Sequence, residues 1–192
     1  QVYSVTGQLD KAKKSFKNIL NMEPRNGLIW AEYGTVLTKL ANYEESKDAY
    51  LKALNFKSDS PRVHLSLGHV YKTMGEIENS IDSYKNSIIQ NKLSGEAYWS
   101  LANLKTYSFS ENEIKVMEET LKEDMSDIER SQIYFALGKA YEVKKDFDNS
   151  YNNYLKGNEA KKGLIKYSSD DTTDNTKRIL DFFNLETCLL YT

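Results

Sequence analysis

Cysteine is nearly missing from this chain of 192 residues, in which Cys188 stands alone. It can form no disulfide within the chain and has no cysteine neighbour with which to hold a metal ion. Disulfides are common in oxidising compartments and rare in the cytosol. The cysteine content therefore favours a cytoplasmic protein, and the first twenty residues lack the pattern of a secretory signal peptide.

Long apolar runs and blocks of one charge are missing as well. No stretch approaches the roughly 20 consecutive apolar residues that cross a bilayer. The 26 basic and 28 acidic residues leave a net charge of -2, and no cluster of Lys and Arg forms a phosphate-binding stripe. We therefore expect neither a membrane nor a nucleic acid as a partner.

Catalytic and cofactor-binding motifs are also lacking. The chain contains no GxxxxGK[ST], GxGxxG, HExxH or CxxC motif. Its two histidines, His64 and His69, are five residues apart, a spacing that does not bring both to one helical face. We expect this chain to have no catalytic site, no cofactor and no metal ion of its own.

Proline and glycine, which interrupt helices, are scarce, with 2 and 9 occurrences. Hydrophobic residues make up 40% of the chain, which is enough to bury a core. Helix-forming residues outnumber β-branched runs. The composition predicts an all-α protein.

A small residue recurs in the sequence every 34 to 36 positions, and a large residue stands four positions before each of these. Twelve positions after three of the small residues comes a serine, followed four later by a tyrosine. Small and large side chains at such spacing are typical of two closely packed helices in every repeat. The small residues are Gly34, Gly68, Ala102 and Gly138, the large ones are Trp30, His64, Tyr98 and Tyr134, and the later pairs are Ser46 with Tyr50, Ser80 with Tyr84 and Ser150 with Tyr154.

These positions resemble the tetratricopeptide repeat, whose pattern of Trp, Leu-Gly, Tyr, Ala, Phe and Pro is met here with substitutions. The resemblance implies an all-α fold, a right-handed superhelical solenoid of antiparallel helix pairs. It also implies that the chain starts in mid-repeat. We expect the second half of a truncated repeat at 1–26, repeats at 27–60, 61–94 and 131–164, an irregular repeat at 95–130, and a loop, capping helix and tail at 165–192.

Helix boundaries are marked by side chains that favour them. Ser60 before Pro61 predicts an N-cap and a first helical position. Near the end, the polar run 167–175 predicts a loop, and residues 177–183 predict a final helix that covers the end of the solenoid. Capping boxes are predicted by Ser110 with Glu113 and by Ser126 with Glu129.

A narrower resemblance covers residues 95–184. The segment from Trp99 to Thr106, together with residues 134–142, Tyr154 and Gly157, looks like the repeat region of bacterial proteins that carry a sulfotransferase domain downstream. In that family a glycine-containing loop for the phosphosulfate donor follows, and none appears before Thr192. The resemblance implies an alternative function, a non-catalytic region that presents substrate or dimerises in front of a sulfotransferase domain.

The tetratricopeptide resemblance also implies a binding surface. In that family the first helix of each pair lines a concave groove with its second, fifth, ninth and twelfth positions. Here those positions offer an aromatic platform with cationic and amide donors around it, which suits an extended peptide carrying an aromatic or acidic group. The predicted peptide-binding residues are Arg62, His69, Lys72, Trp99, Asn103, Phe135 and Lys139.

Alternatives to this groove stay open. Trp99 and Phe135 can instead pack against neighbouring helices, as large aromatic residues usually do. Some relatives clamp a C-terminal carboxylate with two Lys and two Asn, but only Asn103 falls at a matching place here. A partner could also be a second copy of the chain, bound to the apolar face of residues 1–21, which carries Leu9, Phe16, Ile19 and Leu20.

Overall fold

Ten α-helices and no strand occur in the parts of the chain that the structure, a computed structural model, describes, namely residues 2–56, 60–162 and 169–182. The all-α solenoid prediction is confirmed. The helices are α1 (Val2–Met22), α2 (Gly27–Lys39), α3 (Tyr43–Asn55), α4 (Pro61–Met74), α5 (Ile77–Gln90), α6 (Gly95–Ala102), α7 (Glu111–Thr120), α8 (Asp127–Val143), α9 (Phe147–Lys162) and α10 (Ser169–Phe182).

Consecutive helices stack along the chain as pairs. The tightest pairs are α2 with α3, α4 with α5, and α8 with α9, and each pair packs against a neighbouring helix, as α3 does on α4 and α5 on α6. Most of these helices thus contact mainly their neighbours in sequence, as expected of a solenoid. The core is accordingly divided into clusters that follow one another along the stack.

Each regular pair is joined by a buried hydrogen bond from the second helix to the first. The Oγ atom of a serine donates to the backbone carbonyl oxygen of the glycine twelve residues earlier, and all three serines are buried. The bonds run from Ser46 to Gly34 at 2.9 Å, from Ser80 to Gly68 at 3.0 Å, and from Ser150 to Gly138 at 2.8 Å.

The tyrosine four residues after each serine explains why the residue that accepts the serine hydrogen bond is glycine. A Cβ atom added to Gly68 would lie 2.6 Å from Cδ1 of Tyr84, and one added to Gly138 would lie 2.8 Å from Cδ1 of Tyr154. At Gly34 the nearest atom is Cε1 of Tyr50, at 2.9 Å. The second helix therefore places an aromatic ring directly against the backbone of the first.

The third pair departs from this arrangement. Helix α6 has only 8 residues, compared with 14 in α4, and Ile114 and Glu118 stand where serine and tyrosine stand elsewhere. Helix α7 is tied instead to α8, where the Tyr141 hydroxyl donates to Glu118 at 2.6 Å and Lys144 pairs with Glu111. Helix α6 packs directly on α8.

Three predicted helix starts are confirmed. Ser60 caps α4 by accepting from the backbone N–H of Val63, and Pro61 is the first residue of that helix. At the starts of α7 and α8 a serine and a glutamate three residues later satisfy each other's backbone groups. These capping boxes consist of Ser110 with Glu113 and of Ser126 with Glu129.

The prediction of a loop at 167–175 is wrong for residues 169–175. Helix α10 begins at Ser169, because the acidic residues Asp170 and Asp171 favour a first helical turn. Polarity alone does not distinguish a loop from an exposed helix. Residues 167, 168 and 183 lie outside the described parts of the chain. No side chain of α10 is buried, so its capping role stays a prediction.

The apolar face at the N-terminal end is already partly covered. Leu20 is buried in a cluster with residues of α2 and α3, and Phe16 packs against that cluster. Leu9 is half-buried, and Ile19 is 39% exposed. Self-association through this face stays a prediction, with less open apolar surface than the sequence suggested.

The contact between glycine and tyrosine predicts that replacing a helical glycine with alanine changes the free energy of unfolding in opposite directions at two sites. Gly68→Ala should lower the free energy of unfolding by about 1–3 kcal/mol, because its Cβ would collide with the fully buried Tyr84 ring. Gly7→Ala in α1 should raise it by up to about 1 kcal/mol, because no atom lies within 4 Å of the new Cβ. Thermal unfolding of both variants measures the difference, and an unchanged melting temperature for Gly68→Ala would contradict the packing described.

Candidate peptide-binding groove

The first helices of successive pairs share an open face with two clefts. A cleft of about 310 Å³ lies between α2 and α4 and is lined by Leu28, Ala31 and Arg62. A second, of about 440 Å³, lies beside it and is lined by Arg62, Leu65 and Glu96. These are residues at the second and fifth positions of their helices, so the two clefts form neighbouring parts of one surface.

Trp99 and Phe135 are brought together at the next step along this face. Their ring centroids are 5.6 Å apart with an interplanar angle of 52°, a geometry that aromatic pairs favour. Both side chains are half-buried. Phe135 also rests on α9, where a Cβ added to Gly157 would lie 2.8 Å from its ring. Each ring therefore packs against a neighbouring element and keeps part of its surface open, and a binding role for the pair stays a prediction.

His69 is held by partners on two other helices. The hydroxyl of Tyr84 on α5 lies 2.8 Å from Nδ1, and Oε1 of Glu96 on α6 lies 3.3 Å from Nε2. A neutral ring with its proton on Nε2 satisfies both contacts, since the hydroxyl then donates to Nδ1 while Nε2–H donates to Glu96. Burial lowers the pKa of His69 below its ordinary value, Lys72 lowers it further, and Glu96 opposes the shift.

The other predicted donors differ in how far they are engaged. The Lys139 ammonium donates to Glu142 at 2.9 Å, whereas Lys72 is exposed. The Arg62 side chain is 75% exposed, and the nearest carboxylate oxygen in an ion pair, from Glu32, is 3.9 Å away. Arg62 and Lys72 are therefore the most exposed cations of this set.

Asn103 does not occupy the helical position that the repeat pattern assigned to it. Helix α6 ends at Ala102, so Asn103 is the C-cap, and its Nδ2 donates to the backbone oxygen of Trp99 at 2.8 Å. Thr106, the twelfth residue counted from Gly95, lies in the connection to α7. One of the two Nδ2 hydrogens of Asn103 is thus used at the end of its own helix, whereas the second hydrogen and Oδ1 take no part in that bond.

Tyrosine hydroxyls from the second helices also reach the groove, which the sequence reasoning missed. The Tyr50 hydroxyl lies 3.1 Å from Oγ1 of Thr35, and the Tyr154 hydroxyl donates to Glu142 at 2.8 Å. The Tyr84 hydroxyl likewise contacts a groove residue, since it lies 2.8 Å from Nδ1 of His69. A signal was available, because Tyr50 and Tyr84 each stand fifteen residues after the ninth position that they contact.

Two further findings bear on what the surface can do. Among the residues that the structure describes, no three His, Cys, Asp or Glu side chains cluster as metal ligands would. Within the same ranges, no helix combines the length and apolar character needed to cross a bilayer.

This stack of helix pairs defines a helical-repeat solenoid. A family model described as TPR repeat matches residues 34–75, which supports the tetratricopeptide-repeat family for these repeats. The peroxisomal targeting signal receptor of Candida albicans is 28% identical over 127 residues, which make up 66% of this chain. The chain spans only 20% of that receptor's length.

Solved structures show the same fold. The crystal structure of MamA matches with a TM-score of 0.66 and 20% identity, covering 85% of this chain and 95% of that one. YrrB, described as a TPR protein with an unusual peptide-binding site, matches with a TM-score of 0.61 and 16% identity, covering 83% and 81%. At these identities the likeness establishes the tetratricopeptide solenoid and nothing more specific.

The environment of His69 predicts its titration. Its pKa should fall below the ordinary value of about 6.5, and Glu96→Gln should lower it further by removing the carboxylate that favours the imidazolium. Because the folded-state pKa is the lower one, the stability contributed by neutral His69 is present above the unfolded-state pKa. It is lost as the pH falls through the folded-state pKa.

Nuclear magnetic resonance titration of the His69 imidazole measures both effects. A pKa above the ordinary value, or one that Glu96→Gln raises, would contradict the contacts described.

Proposed function

We propose that the chain is a non-catalytic scaffold that binds an extended peptide segment of another protein along its concave face. The observation that carries this proposal is the Trp99–Phe135 pair, in which both rings are half-buried and their centroids are 5.6 Å apart. Large rigid rings that keep some open surface are the side chains on which binding energy concentrates. The descriptions of two similar proteins, one with a peptide-binding site and one a targeting signal receptor, support it.

The charges around the platform favour an acidic or aromatic group on the peptide. Arg62 is 75% exposed, Lys72 is exposed, and both lie on α4, which borders the clefts on either side. The donors can pair with a carboxylate on the peptide side chains. A clamp for a free C-terminal carboxylate is disfavoured, because Leu65, Trp99 and Phe135 stand at fifth positions where such a clamp needs lysine.

The platform predicts unequal effects for two groove substitutions. Peptides would first be selected from a random library for binding to the folded chain. Trp99→Ala should then weaken binding of the selected peptide by about 2 kcal/mol, or about thirtyfold in Kd, because the substitution removes a desolvated anchor. Lys139→Ala should cost less, and its effect should fall with added salt, because this lysine is exposed to screening and is shared with Glu142.

Ile89→Ala is the matched control, since Ile89 is 78% exposed on α5, outside the first helices. It should leave the affinity unchanged. Each variant is used only if its circular dichroism spectrum and melting curve show a folded protein. An unchanged affinity for folded Trp99→Ala would place the binding surface elsewhere.

The alternative, a substrate-presenting or dimerising region of a sulfotransferase, rests on the sequence resemblance of residues 95–184. Under both functions the chain itself acts by binding. Titration calorimetry with 3′-phosphoadenosine 5′-phosphosulfate should therefore give no heat of binding. Saturable binding at micromolar concentration would contradict the non-catalytic role.

A further inference from the structure

A further cleft, of about 220 Å³, opens between the second helices α5 and α7, whereas the groove is lined by first helices. Ile89 of α5 is 78% exposed and Val116 of α7 is 38% exposed, while the side chains from α6 that line the cleft are buried. Apart from one lysine and one glutamate, the lining is apolar and consists of Ile88, Ile89, Tyr98, Leu101, Phe109 and Val116. The cleft is thus an apolar depression with open walls.

The two most exposed apolar residues of this cleft, Ile89 and Val116, stand where the other repeats have polar side chains. Val116 lies two residues after the serine position of its pair, and Ile89 lies five residues after the tyrosine position of its own. The equivalent residues are Asp48, Asp82 and Asn152 for Val116, and Asn55, Glu123 and Glu159 for Ile89, all of them exposed. Two apolar replacements that line one cleft mark a surface that another molecule covers.

Two ion pairs bridge the elements on either side of this cleft. Nζ of Lys85 lies 3.8 Å from Oε1 of Glu113, and Nζ of Lys92 lies 2.7 Å from Oε1 of Glu123. In both pairs the lysine comes from α5 or the residues just after it, and the glutamate from α7 or the residues just after it. Ile89 lies between the two lysines in sequence. An apolar centre with a charged rim is the arrangement of a protein–protein interface, and the two edges here differ in charge.

We propose that this cleft binds one large apolar side chain on an amphipathic helix of a partner protein. Charge complementarity orients that helix, with acidic residues toward the lysines of the α5 edge and basic residues toward the glutamates of the α7 edge. The volume favours a single side chain, since 220 Å³ is below the roughly 300–1,000 Å³ of pockets for small-molecule ligands. A helix suits a depression between two helices, because its apolar face lies along such a groove. This inference is independent of the concave groove.

Peptide selection with counter-selection tests the cleft. The probe is a displayed library of amphipathic peptides of about 20 residues, long enough to form a helix. Peptides that bind a variant with Ile89→Asn and Val116→Asn are removed first, and the rest are selected on the unsubstituted chain. Both substitutions install the residue type of an equivalent exposed position, Asn55 and Asn152, and leave the groove intact, so groove binders are removed. If circular dichroism shows that the double variant is unfolded, Ile89→Asn alone takes its place.

We expect the surviving peptides to share one large apolar residue between acidic and basic neighbours. Replacing that residue by serine should weaken binding about tenfold or more, because its burial supplies the affinity, and Ile89→Asn in the chain should have the same effect. Leu51→Asn is the matched control, since Leu51 is 43% exposed on α3, and it should leave the affinity unchanged. Trp99→Ala should also leave it unchanged, which separates this site from the groove.

Methyl chemical shifts locate the bound peptide. Titration with a surviving peptide should shift the methyl groups of Ile88, Ile89 and Val116 most, and the shifts should saturate. The proposal would be overturned if no peptide survives counter-selection, if the survivors shift other methyl groups, or if they bind equally well with serine at the apolar position. A chain that is dimeric in ultracentrifugation and becomes monomeric with Ile89→Asn would also overturn it, in favour of a second copy in the cleft.

Discussion

The contact between a glycine of one helix and a tyrosine ring of the next is the constraint on which the other features depend. The glycine has no side chain, so the ring reaches the backbone, and a serine one turn earlier bonds to the glycine carbonyl oxygen. The tyrosine ring and the serine hydroxyl together fix the distance between the two helices of a pair and their relative rotation. The same tyrosine then extends past the glycine, so that its hydroxyl meets Thr35, His69 or Glu142 in the groove. Packing and surface chemistry are therefore set by one side chain.

The aromatic platform arises where this contact is missing. In the third pair Ala102, Ile114 and Glu118 replace glycine, serine and tyrosine, and α6 ends early and packs on α8. Gly95 allows this close approach, because a Cβ there would lie 2.5 Å from the backbone oxygen of Glu129. The approach sets Trp99 beside Phe135. An irregular repeat thus places the two large rings side by side at the candidate site.

Much of the fold was predictable, since it depends on side chains at fixed spacing. The glycines, serines and tyrosines predicted paired helices, and the serine caps predicted three helix starts. The early end of α6 was not predictable from the spacing, because the repeat pattern continues through Asn103 while the backbone does not. For the site, the repeat spacing predicted that Trp99 and Phe135 lie on one face. It did not show that Asn103 caps a helix, that Tyr84 holds His69 or that Glu142 engages Lys139, because these contacts depend on where the backbone of α6 ends and on the side-chain conformations.

The most direct test of the account is a map of amide and side-chain chemical shifts in the complex with a library-selected peptide. The largest changes should fall on the Trp99 indole and on the concave face of α4, α6 and α8, including Arg62 and Lys72 of α4. Changes confined to α5, around Ile88 and Ile89, or to the exposed side of α9 would contradict a concave binding site.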